Sequence, residues 1–275
     1  MKRQWIGWVM AGILAAGIAA DAPAGEEGFV TLFDGKTLNG WIQRGGKSPY
    51  RVEDGAIVGC FGDAGRNSFL CTEKEYGDFI LRLEFKFEGG NSGVQFRSAA
   101  RKHKDGSDSV YGYQAEIAGR SPVTARIYDE GRRGFKFKRT WLDNTPAEVT
   151  AKSVAAYKQG DWNRMEIQCV GPSIRTWLND VPVVNYFDDA ALAGFIGLQV
   201  HAIKNPDGKP CARWRNIRIR DLGTSRWTPF FVKGEDGRYA LRGARFVLPE
   251  DWSFNHEEGI LIGQHKEGEK RDGLV

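Results

Sequence analysis

A strict alternation of apolar and polar residues marks residues 79–97 as two strands around a glycine-rich turn. The apolar positions are Phe79, Leu81, Leu83, Phe85, Phe87, Val94 and Phe96. The polar positions are Arg82, Glu84, Lys86, Gln95 and Arg97. Because successive side chains of a strand point to opposite faces, one face belongs to a core. The other face carries an acid, a guanidinium group and an amide against which a small polar ligand could lie.

The same strand signals recur along most of the chain, with turn residues between them. Further predicted strands cover residues 29–33, 50–52, 56–58, 111–118, 123–128, 162–170, 173–178, 181–186, 195–201 and 213–220. Residues 129–160 look polar and irregular, and residues 188–192 predict one short helical turn. No long helical period occurs, so the pattern predicts an all-β fold, a two-sheet sandwich or a barrel.

The first 24 residues have the three parts of a secretory signal peptide. Lys2 and Arg3 precede an apolar stretch, residues 5–20, and small residues follow it. We expect cleavage after Ala24, or as a second choice after Ala20. An uncleaved membrane anchor is the alternative, but the apolar run is short for a membrane span. The predicted protein is therefore exported, to the periplasm or outside the cell, and free of the membrane once the signal is removed.

The last segment contains a faint internal repeat. Residues 257–263 (Glu-Glu-Gly-Ile-Leu-Ile-Gly) mirror residues 53–59 (Glu-Asp-Gly-Ala-Ile-Val-Gly), and Phe254 then falls opposite Tyr50. We therefore expect one domain over residues 28–222 and an extension over residues 223–275. From about residue 245 this extension predicts the truncated start of a second copy. The alternative is a hairpin that is similar by chance.

Export makes disulfide bonds possible for Cys60, Cys71, Cys169 and Cys211, which allow three complete pairings. A Cys60–Cys71 bond is plausible if the two surrounding segments form a hairpin. Buried free thiols are the alternative. The chain has neither a Cys-x-x-Cys pair nor a tight histidine cluster, so it gives no support for a structural zinc site.

Composition narrows the class of partner. The 275 residues are 41% hydrophobic and 12% aromatic, which is typical of a globular protein. The formal net charge is only +4, and no run of Lys and Arg forms a basic stripe. We therefore expect no nucleic-acid partner. The oligomeric state is left open.

Alternation also gathers polar residues from several strands into one candidate site. If these strands share a sheet, one surface carries Glu84, Gln95, Arg97, Gln114, Glu116, Gln199 and His201. Asn91 in the glycine-rich turn, together with Tyr128 and Asp129 in a charged loop, adds candidate ligand contacts. Carboxylates, an imidazole and amides suit hydroxyl-rich ligands and acid–base chemistry.

Several of these candidates have simpler interpretations. A carboxylate such as Glu84 opposite an arginine is often a cross-strand ion pair. His201 ends a strand that looks buried and could be a hydrogen-bonded structural residue. Asn91 could satisfy a positive φ, and the charged loop could be a solvated turn.

Seven segments together resemble the 3-keto-disaccharide hydrolase domain family. They are Leu32-Phe-Asp-Gly-Lys-Thr-Leu-Asn-Gly-Trp41, Leu83-Glu-Phe-Lys86 leading to Asn91-Ser-Gly-Val-Gln-Phe-Arg97, Gly112-Tyr-Gln-Ala-Glu-Ile117, Gly160-Asp-Trp-Asn163, Trp177-Leu-Asn179, Gly194-Phe-Ile-Gly-Leu-Gln-Val-His201 and Arg215-Asn-Ile-Arg-Ile-Arg-Asp-Leu222. The resemblance implies a two-sheet jelly-roll sandwich of the concanavalin A-like lectin/glucanase type. It also implies export and hydrolysis of an oligosaccharide or glycoside substrate.

The chemistry implied by this resemblance starts from a ketone at C3 of a sugar, which acidifies the hydrogen on C2. We expect Glu116 to act as the base, Arg97 to stabilise the enolate, and His201 or Glu84 to serve as the acid. Many family members carry Glu before Gln where this chain has Gln114-Ala-Glu116, so the acid moves along the same face.

No cofactor is expected of the hydrolase itself, because a separate oxidoreductase would make the ketone. The resemblance leaves open whether a divalent metal polarises the ketone, and the sequence does not identify a set of ligands for it. The alternative function is a non-catalytic, lectin-like carbohydrate-binding module, since the same sandwich and polar face serve lectins.

Overall fold

The computed structural model describes residues 27–61, 65–104, 106–133, 142, 145–202 and 210–224, and the backbone of four short strands between residues 231 and 263. The predicted leader, residues 1–24, lies outside the described residues. The chain divides into two compact units, Met1–Thr224 and Ser225–Val275.

Strands make up most of the first unit. In chain order they are β1 (Val30–Thr31), β2 (Trp41–Gly45), β3 (Tyr50–Glu53), β4 (Ala56–Cys60), β5 (Ser68–Tyr76), β6 (Asp78–Phe87), β7 (Ser92–Lys102), β8 (Asp108–Ile117), β9 (Ile127–Glu130), β10 (Asn163–Val170), β11 (Ser173–Leu178), β12 (Val181–Phe187), β13 (Gly194–Val200) and β14 (Cys211–Gly223). One helix, α1 (Ala147–Ala156), lies between β9 and β10. In the described part of the chain, no helix has the length and apolar character needed to cross a membrane.

The strands form two antiparallel sheets. Sheet I has the order β12-β11-β10-β6-β14-β4-β3, and β1 also pairs with β14. Sheet II has the order β2-β5-β13-β7-β8-β9. Their facing apolar side chains form one core, to which sheet I contributes Leu81, Leu83 and Phe85 and sheet II contributes Val94 and Phe96. The predicted all-β, two-sheet jelly-roll sandwich is therefore confirmed.

The two strands of residues 79–97 are both present, but they do not form a hairpin. β6 lies in sheet I and β7 lies in sheet II, so the glycine-rich turn carries the chain from one sheet to the other. The alternation correctly assigned the core face of each strand. It could not show that the two polar faces look out from opposite sides of the sandwich.

Sheet II bends sharply through β7 and β8. The pairing register shifts between Phe96 and Ala99, and Arg97 takes a φ of 44°. Gly112, opposite this point on β8, has a φ of 137°, and a Cβ there would lie 2.5 Å from the Ser98 Oγ. A side chain at this position would therefore obstruct the bend.

Beyond the bend, the tips of β7 and β8 fold onto the outer face of sheet II. There Ala100 and Val110 pack with Phe69, Cys71 and Phe195 in a small second apolar cluster. This packing brings β8 against β2, which is not its neighbour in the sheet. An Arg44–Asp108 ion pair at 3.5 Å joins the same two strands. Part of the outer face of sheet II is thus covered, and polar residues beside the cover are buried.

Three local predictions were wrong. Residues 123–126 form turns rather than a strand, with Ala125 at a φ of 67°, and β9 begins only at Ile127. Helix α1 falls in the stretch expected to be irregular, where Pro146 precedes alanine-rich residues and Glu148 occupies the first turn. Residues 188–192 contain no helical turn.

The disulfide bond joins Cys60 to Cys211, which lie opposite each other on β4 and β14. The predicted Cys60–Cys71 pair is wrong because β4 and β5 belong to different sheets. Cys71 and Cys169 are buried free thiols, and burial raises the pKa of each to about 12. The bond crosslinks two neighbouring strands of sheet I across a separation of 151 residues.

The second unit contains two hairpins, β15 (Phe231–Lys233) with β16 (Tyr239–Leu241) and β17 (Trp252–Asn255) with β18 (Ile260–Gly263). The β17–β18 hairpin occupies the place that the internal repeat assigns to a copy of β3–β4. Its connection is longer, since Asn255 pairs with Ile260, whereas Glu53 pairs with Ala56. The truncated second copy stays a prediction.

Candidate functional site

A buried polar surface lies on the outer side of sheet II, next to the folded-over tips of β7 and β8. We call it the polar face; its members are Gln95, Gln114, Glu116, Tyr128, Glu130 and Gln199. In one row across the sheet, Gln199 pairs with Gly93, which pairs with Glu116. In the next row Gln95 pairs with Gln114, which pairs with Tyr128. The predicted clustering of Gln95, Gln114, Glu116 and Gln199 on one surface is what these registers produce.

A relay of hydrogen bonds runs across this face and ends at Glu116. The Ser98 hydroxyl donates to Gln95 Oε1 at 2.7 Å, and Gln95 Nε2 donates to Gln114 Oε1 at 2.8 Å. Gln114 Nε2 then donates to Glu116 Oε2 at 2.8 Å, and Asn91 Nδ2 donates to Glu116 Oε1. Each amide is held with its N–H pointing towards the carboxylate. The relay therefore fixes the orientation of Glu116 through neutral amide donors.

Gly93 is required by the path of this relay. A Cβ on Gly93 would lie 2.5 Å from Gln114 Cδ and 2.6 Å from its Cγ. The Gln114 side chain thus crosses directly over the Gly93 backbone on its way to Glu116. Any larger residue at position 93 would displace Gln114 and remove a donor from the carboxylate.

Glu116 is only 3% exposed. Burial raises the pKa of its carboxyl to about 7, and the negative charge of Glu130 adds to the rise. The hydrogen bonds from Gln114 and Asn91 oppose it, because they favour the charged form. No cation is bonded to Glu116 among the described residues. A carboxylate in this state can accept or release a proton near neutral pH.

Glu130 is a second carboxylate of the polar face, and it was not among the residues expected from the sequence. It accepts hydrogen bonds from Asn67 Nδ2 at 3.2 Å and from Gln199 Nε2 at 3.5 Å. Burial raises its pKa, the charge of Asp129 adds to the effect, and the two hydrogen bonds oppose it. Strand parity was the available signal, since Glu130 lies on the same side of β9 as the candidate Tyr128.

Gln199 carries an unused hydrogen-bond acceptor. Its side chain is completely buried, and its backbone carbonyl accepts from the Ser92 hydroxyl at 2.8 Å. Its Oε1 has no donor within hydrogen-bonding distance in the described part of the structure. A buried amide oxygen without a partner is unfavourable by about 1–3 kcal/mol. A ligand that donates an O–H or N–H group to this atom would remove that cost.

His201 and Asn91 lie together at one end of the polar face. His201 follows the last residue of β13, and its backbone N–H donates to the Asn91 carbonyl at 3.4 Å. Asn91 in turn donates to Glu116. Both residues are partly exposed, so they border the buried acid on the side that solvent reaches.

Arg97 does not belong to the polar face, and this prediction needs correction. Its guanidinium group is buried and donates to the Gly77 carbonyl at 2.8 Å and the Gly171 carbonyl at 2.5 Å. It also forms a 2.8 Å ion pair with Asp78, which accepts from the Gly171 N–H. The positive φ at Arg97 rotates the side chain out of the strand alternation. Arg97 therefore ties sheet II to turns of sheet I instead of facing a ligand.

Glu84 lies on the outer face of sheet I, so it is separated from Glu116 by both sheets and the core. It accepts from Arg215 Nε at 2.6 Å, across the β6–β14 pair. The neighbouring Arg82–Glu166 pair, at 2.7 Å, has the same form. The simpler interpretation of Glu84, a cross-strand ion pair, is the one that the structure supports.

Asp129 also points away from the polar face. It is buried on the core side of β9, where Arg132 and Arg133 neutralise it at 2.8 and 3.3 Å. Arg133 also forms an ion pair with Asp188, which accepts a hydrogen bond from the Tyr113 hydroxyl. This cluster joins β9 and β8 to the end of β12. The charged loop thus contributes Tyr128 and Glu130 to the site, and Asp129 to its support.

The described residues contain no group of three or more His, Cys, Asp or Glu side chains placed to hold a metal ion. What they offer instead is the buried carboxylate of Glu116, the partly buried carboxylate of Glu130, an amide relay and an unused acceptor. These groups match the hydroxyls of a sugar and permit proton transfer at one carbon or oxygen atom.

A β-sandwich with a buried acid on a polar outer face is a class shared by many sugar-binding and sugar-cleaving proteins. Residues 28–220 match the 3-keto-alpha-glucoside-1,2-lyase-like domain family, and the chain belongs to this family. A 3-keto-disaccharide hydrolase from Bacteroides thetaiotaomicron is 29% identical over 183 residues. The match covers 60% of this chain and 60% of that relative.

Two solved structures are also similar. A protein provisionally named glycosyl hydrolase, from Parabacteroides distasonis, is 18% identical and matches with a TM-score of 0.48. That match covers 71% of this chain and 94% of the other. A carbohydrate-binding module from Bacillus subtilis is 17% identical, with a TM-score of 0.42, over 65% of this chain and 93% of the module.

Proposed function

We propose that this chain is an exported, carbohydrate-active hydrolase that cleaves 3-keto-glycosides by acid–base elimination followed by hydration. The observation that carries the proposal is Glu116, a buried carboxylate with a pKa of about 7 that is held by amide donors. Family membership and the name of the Bacteroides relative support the choice of a 3-keto sugar as substrate.

The reaction needs a base near C2 of the oxidised sugar. In its ionised form Glu116 takes the C2 proton, which the neighbouring ketone acidifies, and the electron pair moves into the enolate. The enolate then expels the aglycone from C1, and the leaving oxygen takes up a proton. Water next adds to C1 and releases a proton, which replaces the one that the leaving oxygen took up, and the protonated Glu116 delivers a proton to C2. The sum is one glycosidic bond hydrolysed, with Glu116 restored.

His201 remains the proposed acid for the leaving oxygen. Its support is position, because it borders Asn91, which bonds directly to Glu116. Histidine is also the side chain that most often transfers protons as a general acid or base. Arg97 and Glu84 have no part in this scheme, since neither faces the site.

Export is supported by a feature of the folded domain as well as by the leader sequence. The Cys60–Cys211 disulfide joins two strands of sheet I. Such bonds form and persist mainly in oxidising compartments, such as the periplasm and the extracellular space. We therefore propose a periplasmic or secreted location.

The substrate assay tests the proposed reaction. The purified protein is incubated with a methyl 3-keto-α-glucoside and, separately, with the unoxidised methyl α-glucoside, and release of the free keto sugar is followed by NMR. We expect cleavage of the keto sugar only, because the unoxidised ring has no acidified C2 hydrogen. Binding of the keto sugar without cleavage would overturn the enzyme proposal and favour the lectin-like module.

A further inference from the structure

We propose that Gln199 and Glu130, with Asn67 behind them, form a hydroxyl-binding subsite that holds the oxidised sugar ring opposite Glu116. The subsite rests on the proposed function for its choice of a 3-keto sugar. Neither Glu130 nor Asn67 was expected from the sequence alone. In this subsite Gln199 and Glu130 accept hydrogen bonds from two hydroxyls of the ring.

Chemical complementarity is the first support for the subsite. Gln199 directs Nε2 towards Glu130, 3.5 Å away, which leaves its buried Oε1 without a donor among the described residues. Glu130 in its ionised form is also an acceptor only. Two acceptors side by side bind two O–H donors. A ketone oxygen has no hydrogen to donate, so the subsite fits the unoxidised hydroxyls of the ring rather than C3.

Spacing is the second support. Gln199 and Glu116 lie in one row, separated by Gly93, so their Cα atoms are two strand spacings, about 10 Å, apart. Gly93 has no side chain, and the flat amide of Gln114 lies directly over its backbone, between Gln199 and Glu116. One sugar ring and its hydroxyls can bridge such a gap. A ring placed there has Glu116 on one side and the two acceptors on the other.

Fixation of the acceptors is the third support. Asn67 donates through Nδ2 to Glu130 at 3.2 Å, and its Oδ1 accepts from the Ala202 N–H at 2.9 Å. These bonds set the orientation of the Asn67 amide, which then positions the Glu130 carboxylate. Gln199 is completely buried. The acceptors are therefore held in place before a ligand arrives, which lowers the cost of ordering them on binding.

On an oxidised glucoside ring, the hydroxyls that remain away from the reacting C2 are those at C4 and C6. The subsite thus predicts that the protein discriminates against rings that lack one of them. A hydrogen bond to a charged acceptor contributes about 1.5–3 kcal/mol, so we expect a loss of about 10-fold or more for one of the two deoxy rings.

Binding measurements test this inference independently of turnover. Dissociation constants are measured by calorimetry for methyl 3-keto-α-glucoside and for its 4-deoxy and 6-deoxy analogues, on a Glu116→Gln background so that the ligands stay intact. The same three ligands are titrated against that protein carrying Gln199→Leu or Glu130→Gln in addition. Glu166→Gln, on the outer face of sheet I, is the matched control.

We expect the Glu116→Gln protein and its Glu166→Gln derivative to bind one deoxy ring about 10-fold more weakly than the complete ring. Gln199→Leu and Glu130→Gln should reduce that penalty to about 2-fold or less. If Gln199→Leu does not fold, Glu130→Gln alone decides. An unchanged penalty in the variants, or no penalty in the parent, would overturn the subsite.

The result also separates the subsite from the proposed reaction. If the wild-type protein fails to cleave the keto sugar but discriminates between rings through Gln199, the subsite stands and the reaction does not. If it cleaves the keto sugar and shows no such discrimination, the reaction stands and the subsite is wrong.

Discussion

Two carboxylates, Glu84 and Glu116, occupy outward-facing positions on strands with the same alternating pattern, yet their surroundings differ. Glu84 on sheet I is partly exposed and neutralised by Arg215 at 2.6 Å. Glu116 on sheet II is buried, and its hydrogen bonds within the described part of the chain come from the amides of Gln114 and Asn91. The difference comes from the cover over sheet II, where the tips of β7 and β8 fold back onto the sheet. Burial without a bonded cation raises the pKa of an acid, a state that is common among acid–base catalysts.

The largest effect should follow from Glu116→Gln. Removing the proposed base should lower kcat for the keto sugar by about 100- to 10,000-fold, the usual contribution of a positioned acid or base. Initial rates at saturating substrate measure this loss. The far-ultraviolet circular dichroism spectrum should stay that of the wild type. A fall of less than 10-fold would show that Glu116 is not the base.

Arg97→Met tests the role that the structure gives to the buried ion pair. The substitution removes three hydrogen bonds of the guanidinium group and leaves the buried Asp78 carboxylate without the charge of Arg97. The free energy of unfolding should therefore fall by about 3–5 kcal/mol. Urea denaturation measures it. The matched control is Arg215→Met, which breaks the half-exposed pair with Glu84 and should cost less than about 1 kcal/mol. Equal losses in the two variants would contradict the distinction between the faces.

Removal of the disulfide should give the next smaller effect. Replacing Cys60 and Cys211 together by serine should lower the free energy of unfolding by about 2–4 kcal/mol, since the bond closes a long loop of the unfolded chain. Wild-type protein treated with a reductant should match the double variant in denaturation experiments. Serine at Cys71 and Cys169 is the control for thiol loss. A double variant as stable as the oxidised wild type would refute this contribution.

Stability should also respond to pH through Glu116. Its pKa is raised from 4.5 to about 7 on folding, so the folded protein binds the proton more tightly than the unfolded chain does. This contribution is complete below about pH 4.5 and is lost as the pH rises through about 7. The wild type should therefore lose more stability than Glu116→Gln between pH 5 and pH 8, as urea midpoints would show. Parallel curves would contradict the raised pKa.

The smallest effect should come from Glu84→Gln. The pair with Arg215 is half-exposed and lies on the other side of the sandwich from the polar face, so kcat/KM should change by less than about 2-fold. Steady-state rates on the keto sugar measure this ratio. A loss as large as that of Glu116→Gln would mean that the active face is on sheet I.

Alternation alone was enough to predict the core side of the strands and the grouping of four polar-face residues. Gln95, Gln114, Glu116 and Gln199 were found because strand parity is local information. Which sheet a strand joins depends on long-range pairing, so Glu84 was grouped with residues on the opposite side. Cys60 was similarly matched to a cysteine near in sequence, whereas its partner lies on the neighbouring strand β14.

Two further errors arose from local backbone geometry. Arg97 follows the polar parity of β7, but its φ of 44° and the register shift after Phe96 turn it into the interior. β9 runs on to Glu130, beyond the predicted strand end at Tyr128, so the alternation turns Asp129 towards the core and Glu130 outward. The Arg97 error arises at the bend of sheet II, where Gly112 on the neighbouring strand takes a φ of 137°.

Proton exchange at C2 tests the assignment of Glu116 as the base most directly. Methyl 3-keto-α-glucoside is incubated in heavy water with the wild type, Glu116→Gln or Glu84→Gln, and deuterium at C2 of substrate and product is followed by NMR and mass spectrometry. The wild type and Glu84→Gln should place deuterium at C2 of the released sugar, whereas Glu116→Gln should not exceed the enzyme-free rate. Exchange or cleavage by Glu116→Gln at the wild-type rate would contradict the account.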